Sequence, residues 1–274
     1  MTAPVFLWHN LLDTETVTSS VAAATGFPVT NMYDDRLYTL FKMGSSNTEL
    51  LIKTSSAGNQ AVDYFSIQGH DLSQPAGSGA AVDILFQYSD NDSSWTTVTG
   101  LTTITPTTNR VIVRTFTSSS HKYWRLKINR AAAFIASIGQ VQWGQRCESP
   151  YGVKVGFDPQ AEDIVSQMNR SQTGNVLGAL YSYGLRKAKI DLEFLTNTWV
   201  RGSSTNQFQY FWDNHARKMK PFLFLWYHDV SGTYEQDAIW CTVDPGSSVS
   251  RPLATQLASG YRHISFSVTG TREE

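Results

Sequence analysis

The 274-residue chain is predicted to fold as an all-β, mainly antiparallel protein. Period-two alternation of apolar and polar residues recurs along it. The breaks between alternating segments are rich in turn-forming residues. Ser and Thr make up about a fifth of the chain; Thr favours strands and Ser favours turns. Alternation of this kind buries one face of a sheet and wets the other, as in antiparallel sandwiches.

The first clear strand runs through Val82, Ile84, Phe86 and Tyr88, which alternate with Asp83, Leu85, Gln87 and Ser89. Trp124, Leu126 and Ile128 alternate with Tyr123, Arg125 and Lys127, and that phase turns the tryptophan inward. Ser73–Gly79, Asp90–Ser94 and Ser118–Ser120 read as loops. A boundary falls near Gln145–Gly152, with Glu148-Ser149-Pro150 as a linker, giving domains 1–145 and 146–274. In the second domain Ala188, Ile190, Leu192 and Phe194 alternate with Lys187, Lys189, Asp191 and Glu193. Ser204 and Gln207 fit a capping box. Phe208, Phe211, Trp212, His215 and Met219 follow at helical spacing, so one packed α-helix is predicted near 204–219. Arg217, Lys218 and Lys220 suit its C-terminal end, and Pro221 stops it. Ile264, Phe266 and Val268 mark a last strand.

Composition narrows the function. The hydrophobic content of 41% supports a core, and charged residues are only 16%. The net charge of −1 offers no basic field for displacing counterions from phosphates, so nucleic acid is not an expected partner. Cys147 and Cys241 make no disulfide framework or zinc pattern and are read as buried thiols. Pro221–Tyr227, the longest strongly apolar run, is too short to cross a bilayer, so no membrane insertion is expected. Asp13 and Glu15 precede the short Ala22–Ala24 run without a basic stretch, so no signal peptide is read and assembly in a cytoplasm is expected.

The stretch Phe27–Phe41, with Asn31, Asp34, Thr39 and Phe41 at characteristic spacing, resembles the opening of a discoidin-like (galactose-binding-like) β-sandwich. Val62–Leu72, Ile84–Val98, Tyr123–Ile128 and Ile138–Gly144 follow in that family's order. The resemblance implies a jelly-roll sandwich over the first domain and a fold that usually binds or builds. His9–Asp13 and the Thr/Ser/Ala-rich segment after it are similar to the start of minor tail proteins of long-tailed bacteriophages. The second half resembles the β-sandwich or split barrel with one helix of distal-tail-like proteins.

No standard catalytic motif is present. His228-Asp229 is a tempting dyad, but strand neighbours point to opposite faces, and a turn role is expected. Asp90 and Asp92 start like a calcium loop, yet Trp95 stands where that loop needs Gly, so a hairpin turn is expected. By resemblance, Asp34, Asp35 and Thr39 are the metal candidates. Arg36 replaces the family's second acid and repels a divalent ion, and Asp35 replaces a Gly, so no metal and no cofactor are expected. Tyr33, Tyr38, His70 and Trp95 are candidates for stacking on sugar rings; the alternative for each is packing in core or turn.

These readings lead to a non-enzymatic component of a phage tail tip or baseplate, assembled in the host cytoplasm and located in the virion tail. The resemblance implies a sixfold or threefold homo-oligomeric ring, with tail-tube, hub and tape-measure proteins as partners and host-surface carbohydrate as a further one. Gly156–Thr173 and Asp244–Gly260 are read as arms reaching neighbouring subunits. The alternative is a carbohydrate-binding module of a bacterial glycan-degrading system.

Overall fold

A computed structural model describes residues 3–73, 81–158, 163–244, 255–256 and 260–271. The fold is mainly antiparallel all-β, with short packed helices. It divides into two compact units. One comprises Leu7–Cys147 with His228–Gln236; the other comprises the segment ending at Phe6, Glu148–Tyr227 and Asp237–Arg272.

In the first unit a six-stranded sheet carries Thr16–Ser19, Asn47–Gln68, Ile112–Phe134, Val82–Ser89 and Thr96–Thr97 in that spatial order. Gln140–Gly144 also pairs with Asn47–Gln68, and Phe41–Lys42 pairs with Ser137–Ile138 in a separate ribbon. The two longest strands run antiparallel from Glu49↔Asn129 to Ser55↔Tyr123. A register shift follows, and pairing resumes at Gln60↔His121. The inward phase is as the alternation predicts: Val82, Ile84, Phe86, Trp124, Leu126 and Ile128 are buried in one apolar cluster. Phe86 is its centre, with ring centroids 4.7 Å from Phe65, 5.6 Å from Trp124 and 5.5 Å from Trp143. Both indole N–H groups find acceptors, Trp124 on the Gln60 and His121 carbonyls and Trp143 on Thr54 Oγ1. Buried tryptophans need such partners. Near Gly144 a Cβ would meet the His9 carbonyl at 2.0 Å, so the N-terminal segment lies directly on this strand. The Tyr64 hydroxyl donates to the same carbonyl.

The second unit is built on the eight-stranded sheet. Phe222–Leu225, Ile239–Val243, Arg262–Thr271, Val176–Leu195 and Asp163–Arg170 pair antiparallel in that order. Ile190, Leu192, Ile264, Phe266 and Val268 are buried, as their alternation predicts. The hairpin Asp163–Arg170/Val176–Leu195 extends as a ribbon whose residues 172–180 are all exposed. Gly156–Thr173 therefore contains a strand paired within its own sheet. Most of Asp244–Gly260 lies outside the described residues, as does Gln74–Gly79 of the predicted 73–79 loop.

The helix is shorter than 204–219. It spans Phe208–Asn214, and a 3-10 turn, Ala216–Lys218, follows. Gln207 Oε1 does accept the Ser204 N–H at 2.9 Å, the return bond of a capping box. That bond closes a turn ahead of the helix, because Gln207 itself is the N-cap. Phe208, Phe211, Trp212 and His215 are buried; Met219, past the end in a left-handed conformation (φ 59°), is 37% exposed. Phe211 stacks on Phe6 at 5.1 Å and meets Phe222 edge-on at 5.0 Å, while Trp212 meets Phe266 at 5.7 Å. A five-residue helix, Asn197–Arg201, has no counterpart in the sequence reading. Thr196 caps it by accepting the Trp199 N–H.

Candidate functional site

On the outer face of the six-stranded sheet, pairing sets five side chains in a row. Thr18 faces Lys53, Lys53 faces Arg125, Arg125 faces Gln87 and Gln87 faces Thr97. Directly paired residues share one face, with neighbouring Cβ atoms about 5 Å apart. The row exists because Ile52, Phe86, Leu126 and their neighbours take the core face, which leaves the alternate positions outside.

The turn after Val82–Ser89 folds back over this row. Asn91 Oδ1 accepts the backbone N–H groups of Ser93 and Ser94 at 3.0 and 2.9 Å, an Asx-type turn. Asp92 sits at φ 59° and receives both bonds of the Lys53 ammonium, at 2.7 and 3.0 Å. Trp95, half-buried, lies with the Arg125 guanidinium 4.0 Å from its ring centroid. Arg125 Nε donates to Gln87 Oε1 at 2.8 Å, and Gln87 Nε2 donates to Thr97 Oγ1. Burial draws the Arg125 guanidinium below its ordinary pKa, while Glu49 and Asp92 oppose that shift.

These groups, with Ser19, Ser20 and Leu51, line an open cleft of about 290 Å³. Ser20 Oγ accepts the Leu51 N–H at 2.8 Å, which leaves its own proton to donate. The cleft thus combines an aromatic ring, hydroxyls, a carboxylate and two cations. A second cleft, of about 300 Å³, is lined by Gly100–Thr105, Arg114, Val230 and Ser231. Its Arg114 is already ion-paired to Glu235, whose carboxylate also accepts the Val113 N–H at 2.9 Å.

The other sugar-stacking candidates are elsewhere. None of Tyr33, Tyr38 and His70 lines the Trp95 cleft. Tyr33 packs half-buried against the core, and Tyr38 is 79% exposed. His70 is only 4% exposed: its Nε2 lies 2.8 Å from the Arg110 carbonyl and its Nδ1 accepts the Leu72 N–H. These partners fix a neutral tautomer, and burial lowers the ring's pKa. His70 is an internal strap because Gly69, at φ 61°, turns the chain before it.

The metal candidates satisfy one another. Asp34 Oδ1 accepts the Arg36 N–H at 3.0 Å. Thr39 Oγ1 lies 2.9 and 2.8 Å from the two Asp34 oxygens and 2.9 Å from the Arg36 carbonyl. Asp35 adopts φ 64°, so it does reach the conformation that the family's glycine takes. Calcium asks for six to eight oxygen ligands. One carboxylate with both oxygens hydrogen-bonded does not fit that demand. Among the described residues no three His, Cys, Asp or Glu side chains gather to hold a metal ion.

His228 and Asp229 diverge. His228 Nδ1 contacts Thr115 Oγ1 at 3.0 Å, whereas Asp229 Oδ1 accepts the Thr233 N–H at 3.0 Å. Of the four stacking candidates only Trp95 lines this cleft, and the sequence reading did not place Lys53, Arg125 and Asp92 beside it. The outward phase of Arg125 between Trp124 and Leu126 was the available signal.

No family model and no curated protein matches the chain. Several solved structures resemble about half of it. A pectin-binding carbohydrate-binding module shares 16% identity, covering 47% of this chain and 89% of its own, at a TM-score of 0.36. A chitosan-binding module from a Paenibacillus chitosanase/glucanase shares 19%, covering 50% and 99%, at 0.40. A Ruminococcus gnavus fucosidase shares 16%, covering 50% of this chain and 26% of its own, at 0.40. They are sugar-binding modules and glycosidases, and this corrects the expectation of a phage tail-tip or baseplate protein. Tail-tube, hub and tape-measure partners, the sixfold or threefold ring and the virion tail location fall with it. The order of strands plus one helix, on which that expectation leaned, recurs across unrelated β folds and specifies no assembly.

Proposed function

We propose that this chain is a non-catalytic carbohydrate-binding protein and that the Trp95 cleft holds the sugar. One observation carries the reading: the turn bearing Trp95 is fastened by Lys53–Asp92 and Trp95–Arg125 contacts over a row of polar side chains. A half-buried aromatic ring beside hydroxyls and charged hydrogen-bonding groups suits the apolar face and polar rim of a pyranose. Small polar ligands are oriented in this way, by one stacking surface and a few placed polar groups.

The test is a titration against a panel of neutral and acidic oligosaccharides. Trp95→Ala is expected to weaken the best binder by about 30-fold or more, the scale of an aromatic hot spot. Tyr38→Ala, outside the cleft, is expected to leave affinity within about twofold. Equal binding by Trp95→Ala and the parent overturns the proposal, and so does a parent that retains none of the panel.

A further inference from the structure

We propose that the saccharide taken by the Trp95 cleft carries a carboxylate, as a uronate does, and that Arg125 receives it. This rests on the carbohydrate reading above and adds the ligand's chemical class.

The charges around the cleft pair off and leave one over. Asp92 is held by Lys53 at 2.7 Å, and Glu49 is held by Lys127 at 2.6 Å. Both acids near Arg125 thus have their own lysines. Arg125 has no ion-pair partner among the described residues, and its one hydrogen bond there is from Nε to Gln87. That bond and the Trp95 ring, 4.0 Å away, fix the guanidinium's position and leave four η N–H donors without an acceptor among the described residues. A partly buried guanidinium in this state has lost water on one side and gained a single neutral acceptor in return.

A planar carboxylate fits such a fork with two parallel bonds. A neutral hydroxyl uses one donor at a time and answers no charge. A phosphate monoester carries nearly two negative charges, one more than the single unpaired cation of the cleft answers. A uronate places a single charge beside ring hydroxyls that can reach Ser20 and Thr18 in the same cleft. Lysine in place of arginine would keep the charge but lose the fork.

The experiment titrates the intact chain with oligomers of galacturonate and of mannuronate, with the same oligomers after reduction of their carboxyls to alcohols, and with a sulfated oligosaccharide. The parent is expected to bind a uronate oligomer about tenfold or more tightly than its reduced form, the scale of a charge-assisted hydrogen-bond pair. Rising salt is expected to narrow that gap. Arg125→Gln is expected to abolish the preference, so that the acidic and the reduced forms bind the variant with equal affinity. Arg125→Lys is expected to retain only part of it. Melting curves that superimpose on the parent's show that the variants are folded. Equal affinity for acidic and reduced forms, or a preference that survives Arg125→Gln, overturns the carboxylate assignment while the carbohydrate reading stands. Tighter binding of the sulfated oligosaccharide also overturns it. If the parent binds no form of either oligomer, the carboxylate assignment fails, and the carbohydrate reading falls with it only if the neutral oligosaccharides of the wider panel also fail to bind.

Discussion

The sheet face under Trp95 and the loop Asp34–Thr39 belong to one compact unit, and each is a turn held by an aspartate. They use their polar atoms in opposite ways. In the loop, Asp34 and Thr39 bond to each other and to the adjacent backbone. On the sheet face, Asp92 is tied to a strand 39 residues away, and the arginine beside it keeps its donors. A turn closed on itself stabilises a fold; a turn fastened to a row of outward side chains makes a surface that can take a ligand.

This contrast can be broken at several points. The largest effect is expected at Trp95→Ala, where affinity falls as stated above while the melting temperature moves by no more than about 2 °C, because the ring is outside the buried core. A collapse in stability would make Trp95 a packing residue. Thr39→Val removes the hydroxyl between Asp34 and Arg36 and is expected to cost about 1–2 kcal/mol of stability with no change in sugar affinity. A loss of affinity there would show that the loop takes part in binding.

His70 gives a pH-dependent test. Its folded pKa lies below that of the unfolded chain, so the folded state binds fewer protons through that window. Its contribution is fully present above about pH 6.5 and is lost as pH falls towards the lowered value. His9, also lowered by burial, acts in the same direction. The His70→Gln chain is expected to show a shallower fall in denaturant stability between about pH 6.5 and 5 than the parent. Parallel curves would mean that His70 is not held neutral. The smallest effect is expected from calcium. Low millimolar addition should leave the melting temperature unchanged, whereas a rise of several degrees would show that the Asp34 loop gathers further ligands.

The strands were legible in the sequence because their cause is local: Trp124, Leu126 and Ile128 share a phase that one face must bury. The cleft was only partly legible. Trp95 could be placed on a turn, but its neighbours depend on register among strands far apart in sequence. His70 sits in a loop as read, and there it takes the packing alternative. The helix was overextended because the stripe continues to Met219 in sequence while the backbone leaves the helix after Asn214. Asn197–Arg201 is too short to show any stripe at all.

The ribbon Asp163–Arg170/Val176–Leu195 carries one further consequence. Its second strand begins among exposed residues and ends against Arg262–Thr271, with Ile190 and Leu192 buried. The backbone bonds near Gly178 have no apolar cover, whereas those near Ile190 open only if the sheet itself opens. Amide hydrogen exchange should therefore be graded along a single strand: fast near residue 178 and approaching the global limit near residue 190. A protease presented with the intact fold is expected to cut first at the ribbon's tip, around Ser171–Asn175, and the two pieces should remain associated through the sheet that the strand's other end builds.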